Sequence, residues 1–539
     1  MNNLSFFSKN NKSLRSKNAD YLFILWAVLL ASLPVLSAMV RLMATAHGFS
    51  EIWPIGSSWN DEAFYFKQTE SIVSYGLPQG YFGYNESSAA SLSFGAWAPI
   101  ILIPGAIWGK LFGYGMLSPY IFNVVFLSLC LLGFGLLKKI GLADMSMLYL
   151  IFFSFAPLSR YMFSYMPEIM IIGLVVVLLG FFESSREKAF WVKDIFIFLI
   201  LVYLVTIRPY LAVLFIMPAL LSFERKGKKR IIYLCVTAVI LVFSLASYSF
   251  VGSRFTAAYI GDIYTNWLDK MFTHGPRTVF NEIVDTLKNN LALLGFRMSK
   301  AVHELDAVGA YFLVFLAASA LLLLGGLISL AWFRFEEGGA EERKAAKLRH
   351  VLFYSALFLS QAAVFFAILI LYNIADGFRH LIVFLVIDVI IVCTDKKTFK
   401  SFKLLSFASF LCLFFIFFVV KSGVPESYAV PYVSEETDLE DFLSEKENIK
   451  NEMPLKDGIS WDNTVDVLLD PESDLERFYL VPEGFGINLC EHSFLENNMG
   501  SLKAGYIIIP ADDVLCQAAE ENGYHERYRT AHGLCVFQK

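Results

Sequence analysis

The chain has 539 residues, of which 56% are hydrophobic, 16% aromatic and only 17% charged, with a formal net charge of −5. Soluble globular proteins carry about a quarter charged residues, and here the apolar excess gathers in runs of bilayer-spanning length, such as Ile231–Val251 with no charge at all. That pattern excludes a single large soluble core and predicts a polytopic membrane protein.

The charge is divided along the chain. Ser422 to Lys539 holds 24 acidic and 8 basic residues, whereas the remainder holds 25 acidic and 36 basic. The organisation expected is therefore a cytoplasmic N-terminal tail (1–19), a transmembrane domain (20–421) and an acidic extracytoplasmic domain (422–539) large enough for its own core.

The N-terminal stretch is polar and basic, with Lys9, Lys12, Arg15 and Lys17. The apolar run after it, Tyr21 to Val40, is too long for the hydrophobic region of a signal peptide and reads as a membrane anchor. A long aromatic and polar external loop follows, about 45–94. Within it NDEAFYFKQTESIVSYG predicts a short helix lying on the membrane, with Asn60 as N-cap and Asp61 and Glu62 in its first turn.

Loops rich in Lys and Arg stay in the cytoplasm. The N-terminus, Glu224–Arg230, Arg334–His350 and Asp395–Lys403 qualify. Placing all four inside gives crossings at 118–137, 143–158, 164–182, 191–207, 209–222, 231–251, 307–332, 351–372, 381–394 and 404–421 after the first. That makes 11 crossings, with the N-terminus inside, and the 252–306 loop and the tail outside. Segment 95–112, with Pro99 and Pro104, then does not cross and is expected to be re-entrant, broken or interfacial. In the alternative, 95–112 crosses and 191–222 is one bent span.

Four cysteines (Cys130, Cys235, Cys393, Cys412) fall in apolar segments and read as packing residues. Cys490, Cys516 and Cys535 fall in the tail, where one disulfide with a spare thiol fits the number and the spacing does not choose a pair. AGYIIIPADD, VLCQAAEENGY and HGLCVFQK read as strand, helix and strand, so the tail should be a small α/β domain.

This topology collects polar residues on the outer face. They are Asp61 and Glu62, Arg160 and Glu168 in SRYMFSYMPE, Arg208 in TIRPY, and Asp376, Arg379 and His380 in NIADGFRH. Any one of them also reads as a helix-end charge reaching the interface, and the acids as complements of a helix dipole. Together they suit one chemistry. A carboxylate beside an acceptor hydroxyl serves as general base, and arginines stabilise charge developing on a leaving phosphate. A lipid-linked phosphate would lay its head group at the boundary and its tail between helices. The expected partners are a polyprenyl-phosphate sugar donor, membrane lipid, and a glycan, lipid or protein acceptor, and no nucleic acid.

These residues carry a resemblance. Asp61-Glu62-Ala63-Phe64-Tyr65, then Ala98-Pro99 and Lys110-Leu111-Phe112-Gly113, then Arg208-Pro209 and Arg379-His380, resemble the GT-C membrane glycosyltransferases. The nearest branch is that of the protein O-mannosyltransferases and lipid A aminoarabinose transferases. The chain departs from that pattern where a tandem proline is replaced by Ala98-Pro99 and an Arg-Tyr by Arg379-His380. The resemblance implies a GT-C-like α-helical polytopic fold and an inverting transfer. In it Asp61 is the general base, and Glu62 orients the acceptor or shares a metal. Arg208 and Arg379 hold the donor phosphate, with His380 assisting. Arg160, Glu168, Asp376 and Tyr65 are supporting candidates, the two acids as partners of the arginines, and Tyr65, Tyr81 and Tyr84 as surfaces for a sugar. Two neighbouring carboxylates can chelate a divalent cation, but no fuller ligand set is visible, so the cofactor is left open. A lipid-linked glycan transporter or flippase would also need arginines and a lipid groove, although no internal repeat is seen. An envelope glycan polymerase or ligase is a further alternative, given Arg254, Arg277 and Arg297 in the late external loop.

Overall fold

A computed structural model describes residues 21–44, 60–76, 81–86, 90–91, 99–154, 161–187, 191–252, 271–303, 307–332, 340–371, 378–395, 400–416, 439–458, 460–469, 476–531 and 533–539. In chain order these form α1 (Tyr21–Val40), α2 (Asn60–Tyr75), β1 (Tyr81–Tyr84), β2 (Ala90–Ser91), α3 (Ile103–Phe112), α4 (Ser118–Lys138), α5 (Leu142–Ser154), α6 (Glu168–Glu187) and α7 (Trp191–Ile207). Next come α8 (Lys228–Ser247), α9 (Pro276–His303), α10 (Ala307–Trp332), α11 (Ala340–Leu371), α12 (Ile382–Thr394) and α13 (Lys400–Phe415). The tail contributes α14 (Leu439–Glu452), β3 (Thr464–Leu469), α15 (Glu476–Leu480), β4 (Gly486–Glu491), α16 (His492–Asn498), β5 (Tyr506–Pro510), α17 (Leu515–Glu521), β6 (His525–Arg529) and β7 (Leu534–Gln538).

The chain is a mostly helical, multi-pass membrane protein with a small sheet at its C-terminus. Among the described residues six helices are long and apolar enough to cross a bilayer: Tyr21–Val40, Ser118–Lys138, Glu168–Ser185, Lys228–Phe250, Gly309–Ile328 and His350–Ile370. Each coincides with an expected crossing. The other five expected crossings correspond to shorter apolar elements. Two of them, α5 and α12, have 13 residues each. Around 209–222 the chain is a 3-10 segment, Pro209–Phe215, running into a short helix.

Segment 95–112 is described from Pro99, where a 3-10 turn leads into the ten-residue α3. At 1.5 Å per residue α3 is about 15 Å long, half a hydrocarbon core. Proline at the first turn starts this helix but cannot extend it backward. Within the 252–306 segment α9 runs for 28 residues.

Close helix contacts are set by glycine. A Cβ on Gly173 of α6 would lie 2.9 Å from Cys130 Sγ of α4, and one on Gly309 of α10 would lie 1.9 Å from the Arg297 carbonyl of α9. Every residue of α12 is buried, making it the central helix of the bundle. It carries Asp388, which accepts from Gln361 of α11, and Ser319 of α10 donates to Gln361 at 3.1 Å.

The sheet order is β2-β1-β4-β3-β5-β7-β6, so it is not built by the tail alone. Strands β1 and β2 come from the segment between α2 and α3, and β1 pairs parallel with β4 (Phe82 with Ile487, Tyr84 with Leu489). The core strands β4, β3 and β5 are parallel, with β7 and β6 added antiparallel. Strands covered on both faces read as continuous apolar runs, and YIIIP and TVDVLL do so except for Asp466.

The turn after β1 locks the loop in place. Asn85 and Glu86 both have positive φ, 51° and 52°. For a glutamate that conformation costs about 1 kcal/mol. It is offset because Glu86 Oε1 accepts the backbone N–H groups of Lys503 (2.7 Å) and Ala504 (2.8 Å).

Candidate active site

The acidic pair opens α2, and nearly the whole helix is enclosed. Every side chain from Glu62 to Ser71 is buried, so α2 does not lie exposed on the membrane as the sequence suggests. The tail covers it. Phe64 packs edge-on against Phe478, with centroids 4.8 Å apart. Phe66 sits among Tyr114, Tyr165 and Tyr479 at 5.1, 5.0 and 5.5 Å.

Such enclosure requires partners for the charged residues. Lys67 pairs with Glu70 at 2.5 Å and donates to the Val481 carbonyl, while Lys446 of α14 donates to the other Glu70 oxygen. Lys450 and Glu483 extend the network at 3.2 Å. Burial, opposed in part by Glu70, pushes Lys67 down to about 8.

On the membrane side, Ser164 donates to Glu62. Ser164 lies in an irregular stretch between 161 and 167, just before α6. Asn123 of α4 holds this stretch by donating to the Ser164 carbonyl at 2.7 Å. The Tyr165 hydroxyl adds a bond to the Met116 carbonyl at 2.6 Å.

Glu168 then begins α6, where a carboxylate suits the helix N-terminus. It pairs with Arg208 at 3.2 Å, and both side chains are almost wholly enclosed. Arg208 is placed by the proline after it. Its backbone is extended (φ −137°, ψ 98°), as a residue before proline prefers. This ends α7 and aims the guanidinium inward.

Tyr65 of α2, Tyr210 and Arg379 lie within Coulombic reach of Arg208. Tyr210 packs edge-on against His380, with centroids 5.1 Å apart. His380 is buried and Arg379 half-buried in the 3-10 turn Phe378–Leu381 that leads into α12. Beside this group a cleft enclosing about 540 Å³, open mouth included, is lined by Tyr65, Trp108, Tyr114, Asn123, Ser164 and Tyr165 among others.

The structure thus gathers Tyr65, Glu168, Arg208, Arg379 and His380, with Glu62 on the same helix as Tyr65. For Asp61 the helical backbone is described and the carboxylate is not; Arg160 and Asp376 lie outside the described residues. Tyr81 and Tyr84 belong to β1, and the Tyr84 hydroxyl donates to Glu491 of the tail. That bond ties the Tyr84 hydroxyl to the tail. Among the described residues no three His, Cys, Asp or Glu side chains gather as a metal site would.

Sequence reasoning missed Ser164, Asn123, Tyr210 and Lys67. Ser164 lies in the same SRYMFSYMPE stretch singled out for its charges, and Tyr210 directly follows Arg208-Pro209. Those two were within reach of a closer reading.

No family model matches the chain, and no curated protein matches its sequence. Among solved structures, the chain is similar to the oligosaccharyltransferase of Archaeoglobus fulgidus in its apo form, at 12% identity over 91% of this chain and 70% of the other, TM-score 0.48. AglB from the same organism, in complex with an inhibitory peptide and a dolichol-phosphate, aligns at 13% identity over 90% and 69%, TM-score 0.44. ArnT from Cupriavidus metallidurans bound to undecaprenyl phosphate aligns at 10% identity over 95% and 97%, TM-score 0.39.

Proposed function

We propose that the protein is a GT-C-like membrane glycosyltransferase. It moves a sugar from a polyprenyl-phosphate donor to an envelope glycan, lipid or protein acceptor on the outer face of the membrane. The observation that carries this reading is the gathering of Tyr65, Arg379 and His380 around Arg208, with Tyr65 on the helix that opens with Asp61 and Glu62. In the proposed step the acceptor hydroxyl attacks the anomeric carbon and Asp61 takes its proton. The bond to the lipid phosphate breaks with inversion.

The arginines divide the labour. Arg208 is enclosed and paired with Glu168, which suits a fixed positive wall. Arg379 is half-buried and is the cation better placed to meet an incoming phosphate. A preorganised donor of this type contributes about 10²–10³ in rate. Glu62, held by Ser164, orients the acceptor. The same reading places the N-terminus and the basic loops in the cytoplasm, with domain limits at 20–421 and 422–539 and the tail outside.

The test is incubation of the purified protein with a panel of polyprenyl-phosphate sugars while released polyprenyl phosphate is measured. Release with one donor supports the transferase. No release with any donor, together with movement of the intact lipid across reconstituted vesicles, replaces it with a transporter.

A further inference from the structure

Three cysteines lie in the tail, and the fold separates them into a pair and a single residue. In the β5–β7 ladder Ile509 faces Cys535 and Pro510 faces Leu534. The chain leaves β5 at Pro510, turns, and enters α17 at Leu515. The Cys516 thiol donates to the Pro510 carbonyl at 3.1 Å, which fixes it over the end of β5 next to the Cys535 position. Both cysteines are free thiols in the structure, and the Cys535 thiol donates to Glu526 Oε2 at 3.6 Å on the neighbouring edge strand. Cys535 is fully buried, and Cys516 is half-buried.

Cys490 is remote from both. It sits on β4, beside Asp466 and Glu86. In the order β4-β3-β5-β7 three strand spacings separate it from Cys535. At about 4.8 Å per spacing this is roughly 14 Å, well beyond the reach of a disulfide.

We propose that Cys516 and Cys535 form a disulfide in the native protein, leaving Cys490 as a free buried thiol. The inference rests on the proposed outer-face position of the tail, where disulfides persist. The oxidant is a protein disulfide or a low-molecular-weight disulfide. The Cys516 thiol loses its proton, and its sulfur attacks one sulfur of the oxidant. The first oxidant sulfur leaves as a thiol, giving a mixed disulfide. The Cys535 thiolate then attacks Cys516 Sγ and expels the second sulfur. Two electrons pass to the oxidant, and the two protons lost by the cysteines balance those taken up by the departing thiols.

Burial pushes Cys535 up to about 12, and Cys516 also rises, so both are poor nucleophiles once packed. The exchange therefore belongs to folding, before α17 closes over the sheet. The bond would tie α17 to β7 and close the loop that carries β6, the edge strand of the sheet.

The experiment uses the full-length protein purified from membranes without reductant. Free thiols are alkylated, and the digest is searched for linked peptides. The expected result is a Cys516–Cys535 cross-link in the wild type and in Cys490→Ser, and none in Cys516→Ser. Reductant should lower the unfolding temperature of the tail by several degrees in the wild type and leave that of Cys516→Ser unchanged. A protein isolated fully reduced whose tail closes the same pair when unfolded and refolded in oxidised glutathione would overturn the native disulfide and, with it, the outer position of the tail. A protein whose tail, unfolded and refolded in oxidised glutathione, stays open or links through Cys490 would overturn the pairing while leaving the tail's position intact.

Discussion

Asp466→Asn should abolish a pH-dependent weakness where the β1–β2 turn meets the tail. Asp466 is fully buried in β3 and accepts from Asn488 at 3.1 Å. Its carboxyl group also hydrogen-bonds to Glu86, which enters from the β1–β2 turn. The other titratable groups facing it are Cys490 and Tyr524. Burial first, and the Glu86 charge second, raise Asp466 well above the usual carboxylate range.

The folded state therefore holds a proton that the unfolded chain loses near pH 4. Stability from this group is complete at low pH and falls as pH climbs toward the folded value, by about 1.4 kcal/mol per pH unit. Asparagine reproduces the protonated carboxyl in shape and donates to Glu86 at any pH. Cys490, buried beside Asp466, provides the assay, because its alkylation requires the sheet to open. At each pH the wild-type rate is divided by the variant rate, which cancels the thiol's own ionisation. The ratio should rise as pH climbs above the ordinary carboxylate range of about 4, by up to about tenfold per unit. A flat ratio would refute the shared proton, and an Asn variant opening faster than the wild type at both ends would refute the mimicry.

Four further outcomes are expected. Asp61→Asn should abolish polyprenyl-phosphate release while the thermal unfolding profile stays unchanged; full activity removes Asp61 as base. Arg379→Ala should weaken binding of the lipid-phosphate donor at least tenfold, measured by titration, and an unaltered affinity would rule out the phosphate role. Lys67→Met should destabilise the seat of the tail by about 1–3 kcal/mol, since it removes one of the two cations on buried Glu70 and leaves the Val481 carbonyl unpaired, as seen in faster limited proteolysis. Because Lys67 is held down near 8, its own contribution to stability rises from pH 8 to about 10.4, opposite in sign to that of Asp466. Gly309→Ala should cost about 1–3 kcal/mol or more in thermal unfolding, because the new methyl would meet the Arg297 carbonyl at 1.9 Å.

What could be read from the sequence follows from how local each signal is. Membrane-length helices announce themselves through apolar runs, and the prolines at 99 and 104 mark where α3 cannot continue. Arg208 could be singled out because a charge before a proline at a helix end is a local pattern. The tail's final strand-helix-strand order could be read for the same reason. The cover over α2 could not. NDEAFYFKQTESIVSY reads as half-exposed because Lys67, Gln68 and Glu70 are polar, and their partners, Val481 and Lys446, lie nearly 400 residues or more away. Likewise nothing in YFGY says that it extends a sheet whose next strand begins at Gly486. Pairing between distant strands has no sequence period of its own, and Asp466 looks like an ordinary surface carboxylate until Glu86 is brought against it.

The shared sheet also sets an order of events during synthesis. The ribosome makes β1 and α2 first, and the strand that receives β1 and the residues that cover Phe66 and Lys67 follow much later, Val481 lying 414 residues after Lys67. Through most of its manufacture the acidic helix is unclamped, and a chain cut short before β4 never clamps it. A segment made later thus certifies an earlier one, and only a chain that has reached β4 presents the acid pair in its finished setting.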